Sequence, residues 1–212
     1  MKDFWSSHQW PAGERRAHWH LLFQGEADVH RFAHAHDDLL ARYPELTRVP
    51  VEWLHTTLES IGPLTAEQST AVGEAGRTAL TGIQPFDIEI GPVHAIHNGV
   101  VVDLYPEENL SAVYWALRKA TESVIGPDAL PPAPDRFWPH LSLAYSNSQW
   151  NDDDLKRALA KEVRPARARM TVERIMLVDQ QQDWRRLYSW TPITTIPLGP
   201  ALPETTDPRG AS

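Results

Sequence analysis

An α+β fold, with helices packed on antiparallel sheets, is what this sequence predicts. Three observations carry that expectation. Apolar residues switch repeatedly between a spacing of two and a spacing of three to four. Gly- and Pro-containing breaks separate those stretches. The strands come in pairs and singly between helices instead of in strict alternation. In chain order, residues 17–24 (AHWHLLFQ) read as a strand. Residues 27–43 follow as a helix with Val29, Phe32, Ala33, Leu39 and Leu40 on one side. Residues 49–61 form the second strand, ended by Gly62-Pro63, and residues 65–80 the next helix, opened by a Thr65/Gln68 capping box. Residues 86–90 and 93–104 read as strands, divided at Gly91-Pro92, with a hairpin signal at Asn98-Gly99. A helix spans 109–125, and a Pro-rich loop spans 126–134. A strand at 138–146, an acidic-start helix at 152–162 and a closing strand pair at 168–179 and 186–196 complete the order. Residues 1–16, polar and punctuated by Trp and Pro, form an arm of undefined structure. Residues 197–212, with no periodicity, read as a disordered tail.

Composition removes several function classes. The chain has 212 residues and 42% hydrophobic residues, enough to bury a core without staples. It has no Cys, which excludes disulfide scaffolds, thiolate metal sites and cysteine nucleophiles. Its 20 Lys+Arg against 28 Asp+Glu give a net charge of −8, a field that repels a long polyanion while leaving room for a local phosphate pocket. No signal-peptide pattern and no run of about 20 apolar residues is present, so a cytoplasmic protein without membrane contact is expected; a monomer is expected as well.

Two of the expected strands share a pattern. Trp53-Leu54-His55-Thr56-Thr57-Leu58 and Trp138-Pro139-His140-Leu141-Ser142-Leu143 both read W-x-H-x-[TS]-L. On a strand, side chains alternate faces. His55 and Thr57 would therefore share a face with Trp53, and His140 and Ser142 with Trp138, while the leucines seal a core. Two such strands side by side would bring two imidazoles and two hydroxyls to one cleft. With an ordinary pKa near ~6.5, one imidazole can serve as general base and the other as general acid. The hydroxyls can donate hydrogen bonds to phosphoryl oxygens, and this chemistry requires neither metal nor cofactor.

These paired H-x-[TS] motifs resemble those of the 2H phosphoesterase superfamily, which includes 2'-5' RNA ligase-like proteins and cyclic nucleotide phosphodiesterases. The surroundings are similar too: Gly62 after the first motif, Phe137 ahead of the second, and Pro139 to Ala144 within it. The resemblance covers residues 17–198 in element order. It implies a single bilobal domain, residues 17–196, in which two antiparallel sheets flank a central groove with helices on the outer faces. It also implies that His55 and His140 are catalytic, and that Thr57 and Ser142 bind phosphate. The implied reactions are opening of 2',3'-cyclic phosphates to 2'-phosphates, or cleavage and joining of 2'-5' linkages. Family members often carry an aromatic residue at the position of Ser60 and Arg at that of Tyr145. The second exchange, with the acidic charge, points to a small nucleotide or short oligoribonucleotide substrate instead of long RNA. A nucleotide-binding module with little turnover is the alternative from another class.

Further groove contacts are expected from Trp53 and Trp138, which could stack on a base, from Tyr145, from Arg136 four residues before His140, and from His20 on the first strand. His30 and His34 stand at i, i+4 with His36 nearby, a spacing that could seat a metal but that a solvated helix face also explains. Asp152-Asp153-Asp154 suits a helix N-terminus. Arg164, Arg167, Arg169, Arg185 and Arg186 read as solvating charges.

Overall fold

The computed structural model describes residues 1–199. Its strands form two antiparallel sheets. The first is built from β1 (Arg15–Leu22), β3 (His55–Gly62), β8 (Arg174–Asp183) and β9 (Leu187–Pro197), in the order β3-β1-β8-β9. The second contains β2 (Leu46–Arg48), β4 (Phe86–Ala95), β5 (Gly99–Tyr105), β6 (His140–Ser146) and β7 (Ala168–Val172), in the order β2-β6-β5-β4-β7. Helices α3 (Ala66–Leu80) and α4 (Glu107–Ile125) pack on the first sheet, against β9 and β3. Helices α1 (Ala27–His34) and α5 (Asp153–Lys161) pack on the second, against β7 and β4, and a short α2 (Asp37–Leu40) follows α1. This is the α+β architecture with outer helices that the sequence predicts.

The period-two alternation of β1 places the groove. Ala17, Trp19 and Leu21 are buried in the apolar core beneath the helices, while Arg16, His18 and His20 alternate with them. The Trp19 indole reaches α4, where its Nε1 donates to Thr121 Oγ1 at 3.0 Å. It also lies directly under α3, where a Cβ on Gly76 would meet its ring at 2.6 Å. The Thr65/Gln68 capping box opens α3 as expected. Arg118 of α4 is buried, donating to Glu59 of β3 at 2.9 Å and to the Pro131 carbonyl at 2.7 Å. It thereby ties helix, strand and Pro-rich loop together, and Pro131 reaches the groove.

Four elements depart from the sequence expectation, each for a local reason. The helix expected over 27–43 breaks after His34. The His36 ring turns into the core and its Nδ1 takes the Phe32 carbonyl at 2.9 Å, so the His36 amide shifts to Ala33. The strand expected over 49–61 is interrupted after Pro50 by a 3-10 turn, Val51–Trp53, and begins at His55. The division expected at Gly91-Pro92 is a register irregularity inside a continuous β4. The strand expected over 168–179 is two strands: β7 pairs with β4, and β8 crosses to the first sheet between β1 and β9. The intervening Glu173 carbonyl accepts from the Leu198 amide. Pro197 ends β9 and Leu198 is buried; the rest of the expected disordered tail lies outside the described residues.

Candidate active site

The two motif copies open their strands in the same way. His55 is the first residue of β3 and His140 the first of β6. Each imidazole Nδ1 lies on the carbonyl of the Trp two residues earlier: His55 on Trp53 at 2.9 Å and His140 on Trp138 at 3.0 Å. A carbonyl only accepts, so in both neutral rings Nδ1 carries the proton and Nε2 keeps its lone pair. Leu54, Leu58, Leu141 and Leu143 are buried on the opposite side, which fixes the strand faces. Thr57 and Ser142, two residues on, share the imidazole face. All four expected residues line one cleft of about 380 Å³ between the sheets.

The cleft has an unusual charge inventory for so acidic a chain. Among the described residues no Asp or Glu lines it, Arg16 is its one permanent cation, and His8, His18, His55 and His140 all border it. Burial pulls the His55 imidazole down to about 4, and the nearby positive charge that His140 can carry acts in the same direction. His18 is likewise pulled to about 4 by burial. His140 is lowered mainly by burial, with the Asp103 carboxylate opposing. Asp103 pairs across the ladder with His140 and accepts the Trp138 Nε1 proton at 2.9 Å, while the Trp138 ring stacks on His140 at 4.3 Å. His55 has no such carboxylate: its ring lies between His20, stacked at 4.4 Å, and Trp190, edge-on at 4.9 Å.

The remaining expected contacts divide. Tyr145 and Ser60 do line the cleft, and burial pushes the Tyr145 phenol up. His20 does not reach the cleft: it is fully buried beneath His55, behind an irregularity between Trp19 and His20, with Nε2 3.4 Å from Thr57 Oγ1. Trp53 and Trp138 precede their strands instead of belonging to them, because Pro50 starts a turn and Pro139 has no amide to join a ladder. Both back the histidines through their carbonyls, and the Trp138 ring also stacks on His140, whereas the Trp53 ring packs edge-on against Trp190 at 4.9 Å. Arg136 lies in a loop, so the strand alternation does not govern it, and it pairs with Glu107 at the exposed start of α4. The α1-region histidines each have a protein partner, His30 the Phe23 carbonyl, His34 Asp37 and His36 the Phe32 carbonyl, and they converge on no common point. Arg167 and Arg169 pair with Glu89, Arg185 with Asp3 and Arg186 with Asp183. Sequence reasoning left the N-terminal arm undefined, yet Phe4, His8 and Trp10 border the cleft together with Arg16, His18 and Tyr188. His18 was legible as an alternate residue of the first strand; Arg16 fell in the arm, because the strand begins at Arg15, two residues before the expected start, and the arm offered only its aromatic density.

The sequence profile of the 2'-5' RNA ligase superfamily matches residues 24–184, three quarters of the chain. The chain belongs to the 2'-5' RNA ligase superfamily. Solved structures repeat the fold at low identity. TT0787 of Thermus thermophilus is 18% identical with a TM-score of 0.70, over 88% of this chain and 100% of that one. Escherichia coli LigT, crystallised with 3'-AMP, is 16% identical with a TM-score of 0.63, over 87% and 98%. The MHV ns2 PDE domain is 12% identical with a TM-score of 0.54, over 77% and 99%. No curated protein matches the chain significantly. Membership of this superfamily supports phosphoester chemistry. Among the described residues no helix is long and apolar enough to cross a membrane.

Proposed function

We propose that this protein is a metal-independent phosphodiesterase acting on small ribonucleotide-derived diesters, opening a 2',3'-cyclic phosphate to a 2'-phosphate or cleaving a 2'-5' linkage. The observation that carries this reading is the duplicated imidazole frame: two Nδ1–H groups held by backbone carbonyls and two free Nε2 atoms beside two hydroxyls in one cleft. A neutral Nε2 takes the proton of the attacking water. The water oxygen bonds phosphorus as the opposite P–O bond breaks, and the second imidazole protonates the departing ribose oxygen. Thr57 and Ser142 donate to the nonbridging oxygens, where the charge gathers. His55, held down to about 4, is the base; His140, with Asp103 favouring its charged form, is the acid. Among the described residues the cleft lining has no carboxylate oxygen to offer a hard divalent cation. The small-nucleotide reading is supported by E. coli LigT, which has been crystallised with 3'-AMP, phosphate, ATP and NADP+.

The test is hydrolysis of 2',3'-cyclic nucleotides in excess EDTA, with product position read by phosphorus NMR. Turnover to the 2'-phosphate is expected, falling by about 10²-fold or more in His55→Ala and in His140→Ala. Undiminished turnover in either variant rules out the two-imidazole mechanism. Saturable nucleotide binding with no turnover would leave a binding module instead.

A further inference from the structure

The N-terminal arm precedes the superfamily match, which begins at residue 24, and yet it borders the same cleft as His55 and His140. It is held to both sheets. The Phe4 amide donates to the Ser146 carbonyl at the end of β6, and the Trp10 amide to Gln182 Oε1 of β8. Gln182 Nε2 returns a bond to the His8 carbonyl. Trp5 anchors the strap: it is fully buried, 5.5 Å from Tyr145 of β6 and 5.6 Å from Tyr188 of β9, and its Nε1 donates to Asn147 at 3.0 Å.

An arm that only completed the core would bury its other rings as it buries Trp5. It does not. Phe4 and Trp10 are half-buried and His8 is exposed, all three at the wall of the cleft. They are also held in place. His8 stacks parallel on Phe4 at 4.2 Å, with Nδ1 on the Phe4 carbonyl. The Arg16 guanidinium lies 4.5 Å from the Trp10 ring centre. The cleft wall thus combines ordered aromatic surface from the arm, with Arg16 beside it, and the hydroxyls and imidazoles of the two motifs. From this placement we infer that the arm is a base subsite: it receives the planar ring of a nucleotide whose phosphate sits between Thr57 and Ser142. The inference rests on the phosphate reading of the cleft and adds to it the group that selects the substrate.

The test is calorimetric titration of the full chain with adenosine 2'-monophosphate and, separately, with inorganic phosphate. The wild type should bind the nucleotide more tightly than phosphate. Trp10→Ala should weaken the nucleotide by about tenfold or more while leaving phosphate within about twofold. Trp10→Phe, which keeps a stacking face, should recover most of the loss, and His8→Ala, at an exposed position, reads the subsite without risk to folding. An unchanged nucleotide affinity in Trp10→Ala and His8→Ala, or an equal loss of phosphate, overturns the subsite. The two readings separate cleanly. A Trp10-dependent preference for the nucleotide without turnover of any cyclic or 2'-5'-linked diester refutes the enzyme and keeps the subsite; turnover indifferent to Trp10 and His8 does the reverse.

Discussion

His55 and His140 occupy the same local frame but different surroundings, and that difference sets the expected pH behaviour. His55 is desolvated among rings, whereas His140 has the Asp103 carboxylate across the ladder. The base must be neutral and the acid protonated. On the free enzyme kcat/KM should therefore rise through about pH 4, where His55 loses its proton, and decline again below the ordinary histidine value of 6.5 as His140 loses its own. In the complex the diester anion favours both imidazolium forms, so the kcat profile should sit at higher pH. Asp103→Asn keeps the acceptor for Trp138 Nε1 but removes the charge. It should move the descending limb of kcat/KM to lower pH with the ascending limb in place. A descending limb that stays put would show that Asp103 serves only as a hydrogen-bond acceptor for neighbours such as Trp138 and Tyr105. The placement of the four proposed site residues in one cleft was legible because strand alternation fixes what H-x-[TS] presents. The difference in surroundings behind the proposed acid and base roles was not, because it comes from Asp103 and Trp190, which approach only through the fold.

Among the elements, α3 shows how closely a helix is set onto the groove-forming sheet. Gly73 lies 3.0 Å, at an added Cβ, from the Thr194 side chain of β9, and Gly76 2.6 Å from the Trp19 ring. Alanine at 76 gains about 1 kcal/mol of helix propensity but must displace an indole held by Thr121, an overpacking that costs about 1–3 kcal/mol. Gly76→Ala should thus lose about 1 kcal/mol in urea denaturation, the overpacking exceeding the propensity gain. Gly82→Ala, where an added Cβ meets nothing within 4 Å, should be close to neutral. Equal stability for both variants would mean that α3 can shift off the sheet. Helix and strand positions were largely readable, since each element seals one apolar face. What local pattern could not show is where the chain changes sheets. Residues 168–179 alternate as one strand, yet Val172 ends one ladder and, after the intervening Glu173, Arg174 begins the other. The arm was unreadable for a related reason: Trp5 is buried by Tyr145 and Tyr188, both distant in sequence.

Taken as a whole, the molecule closes two sheets around a cluster of neutral imidazoles, and this ties its stability to the same groups that would serve its chemistry. His18 and His55 are held at about 4 by burial, and His20, fully buried with Nδ1 unpartnered, well below its ordinary value. In the unfolded chain all three would titrate near 6.5. Between pH 6.5 and 4 the unfolded chain therefore binds more protons than the folded one, and stability falls as pH falls through that window. Each imidazole contributes at most about 1.4 kcal/mol per pH unit. Glu59, whose pKa is raised by burial, acts in the opposite sense near its own titration, and the ion-paired Asp152, whose pKa is lowered, loses its contribution only at more acid pH. The urea midpoint should accordingly be flat from about pH 7 to about 9, below the range where the buried tyrosines Tyr145 and Tyr188 would ionise in the unfolded chain, and decline from pH 6.5 towards 5. His20→Gln, which keeps a polar side chain over Thr57 but cannot titrate, should flatten that decline by about one proton's worth of slope. Inorganic phosphate should oppose the decline in the wild type, because a bound anion favours protonation of the cleft imidazoles without unfolding. A midpoint unchanged from about pH 7 to 5 would contradict the neutral, buried state of the cluster, and with it the assignment of His55 as the ready base.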